Sequence, residues 1–357
     1  MAREKIAIAC QGGGSQTAFT AGVLSALFRN KVHEEKQIVS LSGTSGGAVC
    51  AALAWYSLLK AAKGDQTPVE QRLLSFWRDN STKGLIEHFL NDSLIRYIQL
   101  VDSGFLPEWK SSPYSLHRQT MIATLKWIMP QFYDFQGLLK KHINFDELPQ
   151  LIDKVKSPVL ILGAADVVMG KFEKFSSHDG GIQVEKILAS AAVPSIMQAV
   201  RVGDSSYWDG LFSDNPPTDE LVDDALVGKE RLPDQLWVIQ INPKQRHNVP
   251  HSPEEIKDRR NEMIGNESLY QDLKHICLVN KLLKRKAIHP EYIQQHNLKQ
   301  VEIFVIEMSK PLQRKLDYAS KLNRNHRFIE QLFQEGMQQG ELFIKAPDAM
   351  RFDPATL

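Results

Sequence analysis

The stretch Val39-Ser40-Leu41-Ser42-Gly43-Thr44-Ser45-Gly46-Gly47-Ala48-Val49-Cys50-Ala51 decides how the chain reads. A short apolar run leads into a turn of small residues and a second apolar run leads out, which predicts strand, tight turn and helix. Gly43 and Gly47 stand two residues either side of Ser45, the G-x-S-x-G spacing that puts a serine on a sharp turn at the carboxyl edge of a sheet. The glycines remove side chains that would collide where strand and helix meet. A helix over Gly46 to Lys60 would aim the positive end of its dipole at Ser45. Read alone, the same letters also fit a small-residue turn before a buried helix.

A second glycine turn lies one predicted strand earlier. Ile6-Ala7-Ile8-Ala9-Cys10 is a continuous apolar run, suited to a buried parallel strand, and it runs into Gly12-Gly13-Gly14-Ser15 and an apolar helix from about Thr17 to Phe28. Three glycines at such a junction leave backbone N–H groups open to an anion. The anion could be a phosphate or an oxyanion. Thr17 breaks the G-x-G-x-x-G pattern and no G-x-x-x-x-G-K-[ST] is present, so the nucleotide reading is weak. With a candidate nucleophile one strand later, an oxyanion site is the better reading. Both turns would leave the same carboxyl edge of one sheet, where open α/β sheets bind ligands.

Composition narrows the field. The 357 residues are 43% hydrophobic and 24% charged, which suits a globular chain with a sizeable core. Lys and Arg number 43 against 42 Asp and Glu, so no global field favours nucleic acid. Cys10, Cys50 and Cys277 form neither an even set nor a C-x-x-C, which argues against a disulfide framework or a cysteine-rich zinc site. The apolar run near Met1 is too short for a secretory segment and no stretch reaches the ~18 apolar residues of a membrane span, so a cytoplasmic or membrane-peripheral location is expected.

Strand-like runs recur at Pro158 to Ala165, Lys171 to Phe175, Val200 to Val202, Tyr207 to Asp209, Leu236 to Ile241 and Glu302 to Met308. Helical patterns alternate with them, so one mostly parallel sheet in an α/β fold is expected. The chain reads as a single domain over 1–357, with a motif-bearing core at 4–220, a helical insertion at about 64–150 and a helical C-terminal extension at 246–357. The insertion holds many aromatics, among them Phe76, Trp77, Tyr97, Phe105, Trp109, Tyr114, Trp127, Phe132, Tyr133 and Phe135, which are read as core. The basic run Lys281 to Lys286 reads as a solvated face. The tail from Leu312 to Lys345 reads as one helix, broken at Gly336.

A serine hydroxyl needs a base. Of eleven histidines, His178 and His247 are the nearest candidates, though neither sits in a recognisable catalytic loop. Asp209 is preferred: Tyr207-Trp208 should end a strand and Gly210 turns the chain, leaving the carboxylate at the sheet edge. Asp179, in Asp179-Gly180-Gly181, is a rival that also fits a helix cap or turn.

Four ordered motifs in about the first 220 residues resemble the patatin-like phospholipase family: Gly12-Gly13-Gly14-Ser15 with Ala21-Gly22-Val23-Leu24, Gly43-Thr44-Ser45-Gly46-Gly47, Ala189-Ser190-Ala191-Ala192-Val193-Pro194, and Asp209-Gly210-Leu211 leading to Asn215-Pro216. The resemblance implies a three-layer α/β/α fold and a Ser45/Asp209 dyad without histidine. It also implies an oxyanion hole from Gly12, Gly13 and Gly14, no metal or other cofactor, and hydrolysis of lipid acyl esters. A lipid substrate and peripheral membrane contact follow, with no nucleic acid partner. An acyltransferase using the same dyad, or a non-catalytic lipid-binding protein, are the alternatives. One departure stands out: where the family usually carries arginine and glycine, this chain has Gln16 and Thr17. Glutamine supplies a dipole in place of a fixed charge, so lower activity or a differently braced loop is expected.

Overall fold

The computed structural model describes residues 3–107, 111–128, 134–194, 196–246 and 249–356. In chain order the strands are β1 (Lys5–Cys10), β2 (Gln37–Thr44), β3 (Val159–Asp166), β4 (Lys171–Ser176), β5 (Val200–Val202), β6 (Ser205–Asp209), β7 (Gln235–Gln240) and β8 (Glu302–Glu307). They form one sheet in the order β5-β6-β3-β2-β1-β7-β8, with β4 also on β3. The five strands from β3 to β8 along this path are parallel, whereas β4, β5 and β6 pair antiparallel. The parallel strands are the continuous apolar runs, because helices cover both of their faces.

The helices are α1 (Ala18–Arg29), α2 (Gly46–Ala62), α3 (Val69–Asn80), α4 (Gly84–Asp102), α5 (Leu116–Ile128), α6 (Phe135–His142), α7 (Val184–Ser190), α8 (Pro253–Lys284), α9 (Tyr318–Leu322) and α10 (His326–Lys345), besides shorter turns. Alternate strand residues divide between two cores, as the period of two demands. Ile6 and Ile8 join Leu41, Leu160, Trp237 and Phe304 against α1, α2 and α10. Ala7 and Ala9 join Val159, Ile161, Leu236 and Val238 against Leu269, Leu273 and Ile276 of α8. The result is the expected helix, sheet, helix layering.

One pairing places the functional residues. β4 occupies one edge of β3 from Ile161 to Asp166. β2 pairs with Val159 to Gly163 and β6 with Ala164 to Asp166, so these two must share the opposite edge, end to end. Thr44 lies across from Gly163 and Asp209 across from Ala164. The residue after β2 is Ser45.

Two expectations are corrected. The tail is not one helix: a turn at Lys310–Gln313 and α9 precede α10, each started by its own cap, Asp317 receiving Ser320 N–H at 2.8 Å and Asn325 receiving Arg327 N–H at 3.0 Å. Gly336 does not break α10; it lets the helix lie against α1. A Cβ at Gly336 would stand 2.0 Å from Phe19 O, and one at Gly22 would stand 2.0 Å from Phe333 O. The second correction concerns the insertion aromatics. Phe76 and Trp77 are buried beside α1 and α2, but Tyr97, Phe105, Tyr114 and Trp127 are exposed, Trp127 by 84%. α4 buries only Asn91 and Val101 among the described residues and α5 none, so most of their apolar side chains face water there. Trp109, Phe132 and Tyr133 lie outside the described residues. No described helix is long and apolar enough to cross a membrane.

The α1–α10 contact yields a prediction. Gly336→Val forces apart two backbones with no flexible side chain between them, so it should destabilise by about 3 kcal/mol. Urea unfolding of the variant checks this, and an unchanged midpoint would show that α10 does not pack on α1 as described.

Candidate functional site

Ser45 has φ 57° and ψ −130°, a conformation L-residues seldom adopt, at a cost of order 1–3 kcal/mol. Its surroundings leave it no alternative. A Cβ at Gly43 would meet Gly47 O at 2.5 Å, and one at Gly47 would meet Cys10 O at 2.1 Å. Ser45 N–H donates to Ser190 O at 3.0 Å and lies 3.2 Å from Ser190 Oγ, which itself donates to Gly163 O at 2.6 Å. Behind it runs α2, its first N–H groups facing the serine.

Asp209 comes to the same place from the end of β6 and is fully buried. Its backbone N–H donates to Ala192 O at 2.9 Å, so the segment after α7 pins both residues, Ser190 holding Ser45 and Ala192 holding Asp209. Asp209 Oδ1 accepts from Leu211 N–H at 2.9 Å. Burial raises the carboxyl pKa to about 7, against the downward pull of the Ser45 hydroxyl and the Leu211 N–H. The hydroxyl lies close enough to exert that pull, and Oδ2 is buried with no other hydrogen-bond partner. A carboxylate half-ionised near neutrality, with an unused oxygen next to a serine, is suited to exchange a proton with it.

The glycine loop closes over this pair. A Cβ at Gly12 would stand 2.7 Å from Ser45 Cβ, so only glycine permits the approach. Of the three glycines expected to offer N–H donors, Gly12 differs from the others: its N–H is already given to Asn215 Oδ1 at 2.6 Å. Gly13 and Gly14 open the turn Gly14–Thr17, whose first amides have no partner within the turn. Both line the cavity with Ser45. Thr17, in place of the family's glycine, donates its hydroxyl to Gly14 O at 2.6 Å. Gln16, in place of the arginine, is buried and donates to Ser320 Oγ of α9 at 2.8 Å.

Several residues that hold the site carried no signal in the sequence. Gln11 is fully buried and makes four hydrogen bonds: its Oε1 accepts from the N–H groups of Ile241 (2.8 Å) and Asn242 (2.7 Å), and its Nε2 donates to Asn215 O and Asn266 Oδ1 (3.0 Å each). A lone polar residue closing an apolar strand run was the available clue. The C-terminal third supplies a whole wall. The cavity of about 530 Å³ is lined by apolar Val193, Pro194, Ile196, Trp208, Leu211 and Phe212 and by α8 and α9, which bring charged Lys257, Asp258, Arg260, Glu262 and Lys321 together with apolar Ile264 and Leu322. Burial would raise the Glu262 carboxyl, but Lys321 and Arg246 outweigh it and hold its pKa below the usual carboxylate range.

The other candidates do not meet Ser45. Ser177 N–H bonds to Leu160 O, near the opposite end of β3 from Asp209, so His178 and Asp179 lie toward the amino edge of the sheet. Burial and the nearby Arg231 and Lys154 lower the His178 pKa. His247 lies outside the described residues. Among the described residues no histidine lines the cavity.

The buried carboxyl has a signature in stability. Because its folded pKa lies above the unfolded value of 3.8, the folded state binds this proton more tightly, and the associated stability is full below about pH 4 and lost as pH rises through about 7. Asp209→Asn should therefore match the wild type near pH 4 and exceed it above pH 7, by on the order of 4 kcal/mol. Thermal unfolding of both proteins from pH 4 to 8.5 tests this; parallel curves would mean that Asp209 is not buried as a carboxyl.

Known proteins can now be set beside this geometry. The family description "Patatin-like phospholipase" matches residues 8–222, from β1 through the loop after Asp209. No curated protein matches the chain. Among solved structures, VipD from Legionella pneumophila is 12% identical with a TM-score of 0.41, over 98% of this chain and 68% of that one. The ExoU–SpcU complex of the type III secretion system of Pseudomonas aeruginosa is 19% identical with a TM-score of 0.28, over 83% of this chain and 57% of that one. With the family match spanning more than half of its length and both glycine turns, the chain belongs to the patatin-like phospholipase family.

Proposed function

We propose that the chain is a serine acyl hydrolase of lipid esters, of phospholipase A or lysophospholipase type, working through Ser45 and Asp209. The observation that carries this reading is the meeting of β2 and β6 on one edge of β3, which brings a strained serine close to a buried carboxylate with one oxygen unsatisfied. Family membership supports lipid acyl hydrolysis in general.

Asp209 accepts the hydroxyl proton as Ser45 Oγ attacks the acyl carbonyl. The N–H groups of Gly13 and Gly14 and the dipole of α2 hold the oxyanion, while Gly12 gives its N–H to Asn215 and serves by allowing close approach. Collapse breaks the ester bond, and the alcohol leaves with the proton from Asp209. Water, deprotonated by Asp209, then attacks the acyl-serine, and Asp209 returns the proton to Ser45 Oγ as the fatty acid is released. The apolar lining takes the acyl chain and the charged residues of α8 face the head group. Gln16 does not argue for a lipid-binding protein without activity, since its side chain is spent on Ser320.

Ser45→Ala and Asp209→Asn should each lower hydrolysis of a p-nitrophenyl acyl ester by roughly 10³-fold or more without unfolding the protein. A fluorophosphonate should label Ser45, and kcat/KM should rise with pH through about 7, where Asp209 becomes able to accept a proton. Mass spectrometry placing the label elsewhere, or full activity in Asp209→Asn, would overturn the assignment. Peripheral membrane contact belongs to the same reading, supported by exposed Leu85, Ile86, Phe89, Phe105, Leu116 and Trp127 on the insertion and by the bond from Arg118 to Ile196 O at the cavity (3.0 Å). Phe105→Ser with Trp127→Ser should reduce co-sedimentation with phosphatidylcholine vesicles and spare the soluble ester; undiminished co-sedimentation removes the insertion from the contact.

A further inference from the structure

We infer that Gln16 is a positioning residue for the oxyanion loop, and that it works through α9, so that a segment beyond the family-matched residues is a working part of the site. This rests on the hydrolase reading above.

Inside the loop the Thr17 hydroxyl donates to Gly14 O at 2.6 Å and the Gln16 N–H to Gly13 O at 3.2 Å, and its further hold comes from α9. Gly14 has φ +57°, and a Cβ there would stand 2.3 Å from Lys321 O, so the loop lies directly on the backbone of α9. Two residues on, Gln16 reaches the same helix through Ser320 Oγ at 2.8 Å. That oxygen is itself fixed, donating to Asp317 O at 2.6 Å and accepting from Asp317 N–H at 3.1 Å, within the cap that starts α9. A five-residue helix has too few hydrogen bonds to anchor anything alone.

The anchor is ionic. Lys321 Nζ lies 2.7 Å from Asp258 and 2.9 Å from Glu262 of α8, and Arg246 binds the same two carboxylates at 2.6 and 2.7 Å. These groups are largely shielded from water, so their attraction is little screened and their geometry is specific. A chain of contacts therefore runs from α8 through Lys321 and Ser320 to Gln16 and Gly14. Where the family uses a charge beside the glycines, this chain uses an uncharged tether to a charged cluster one layer away. The tether fixes where the Gly13 and Gly14 N–H groups stand, which matters most when an oxyanion forms.

The experiment compares wild type, Gln16→Leu, Ser320→Ala and the double variant. Competent sites are counted by fluorophosphonate titration, then kcat and KM for a p-nitrophenyl ester are expressed per competent site, with the phosphonylation rate and Tm alongside. Each single variant should lose ~10-fold in kcat and in phosphonylation rate with KM within about twofold, and the double variant should be no worse than Gln16→Leu alone, because that substitution already removes both bonds from Gln16 to the cap of α9, to Ser320 Oγ (2.8 Å) and to Asp317 O (3.4 Å). A tether that served only folding would lower Tm and the competent fraction and leave kcat per site untouched. That result, or losses that multiply in the double variant, overturns the inference. Should Gln16→Leu not fold, Ser320→Ala alone decides by the same readouts. A wild type that neither hydrolyses the ester nor takes the label sinks the hydrolase reading instead, whereas an active wild type with unaffected variants sinks only the tether.

Discussion

A carboxyl group with no access to water sits at the centre of this molecule, and the rest of the site can be understood as what keeps it there. Charging Asp209 in a buried setting is unfavourable, and the fold offers one firm N–H bond to its side chain where a fully stabilised carboxylate would have two or three. The deficit holds its pKa close to neutrality. The strained backbone at Ser45 is a second local cost. Both are sustained by the same neighbours, the carbonyls of Ser190 and Ala192 and the edge of β3. Two unfavourable features thus share one set of supports.

The second theme is polar groups used as fasteners inside an apolar body. Gln11 joins the ends of β1 and β7 to the Asn215 loop and to α8, satisfying every hydrogen bond of its amide in the interior. Asn215 in turn fixes the Gly12 amide. Such groups cost desolvation, and they return it as direction, since a hydrogen bond specifies an orientation that apolar contact does not. The glycine loop is reached by fasteners from both sides, Asn215 from the core and Ser320 from the C-terminal third.

Much of this architecture could be read from the chain alone. The buried parallel strands announced themselves as unbroken apolar runs, and Ser45 was marked by glycines whose absence of side chains the close contacts with Gly47 O and Cys10 O now explain. Asp209 was legible as a strand end before a glycine. What could not be read was whatever depends on distant segments meeting. That β2 and β6 share an edge of β3 follows from tertiary pairing, and no local pattern encodes it. The partner of Gln16 lies about three hundred residues downstream in a helix whose own sequence is unremarked. The insertion misled in a different way: Phe76 and Trp127 look alike as letters, and only the presence of α1 and α2 beside the first separates buried from exposed.

The end-to-end placement of β2 and β6 has an architectural consequence. The spacing between Ser45 and Asp209 is set by adjacent positions of β3, Gly163 and Ala164, joined by a single peptide link. The chain between β2 and β3 leaves and re-enters the sheet without altering that link, and the helices from α2 to α6 lie on this connection. The scaffold thereby separates the few ångströms of strand that set where Ser45 and Asp209 meet from the long connection carried beside them, whose length and content leave that spacing untouched.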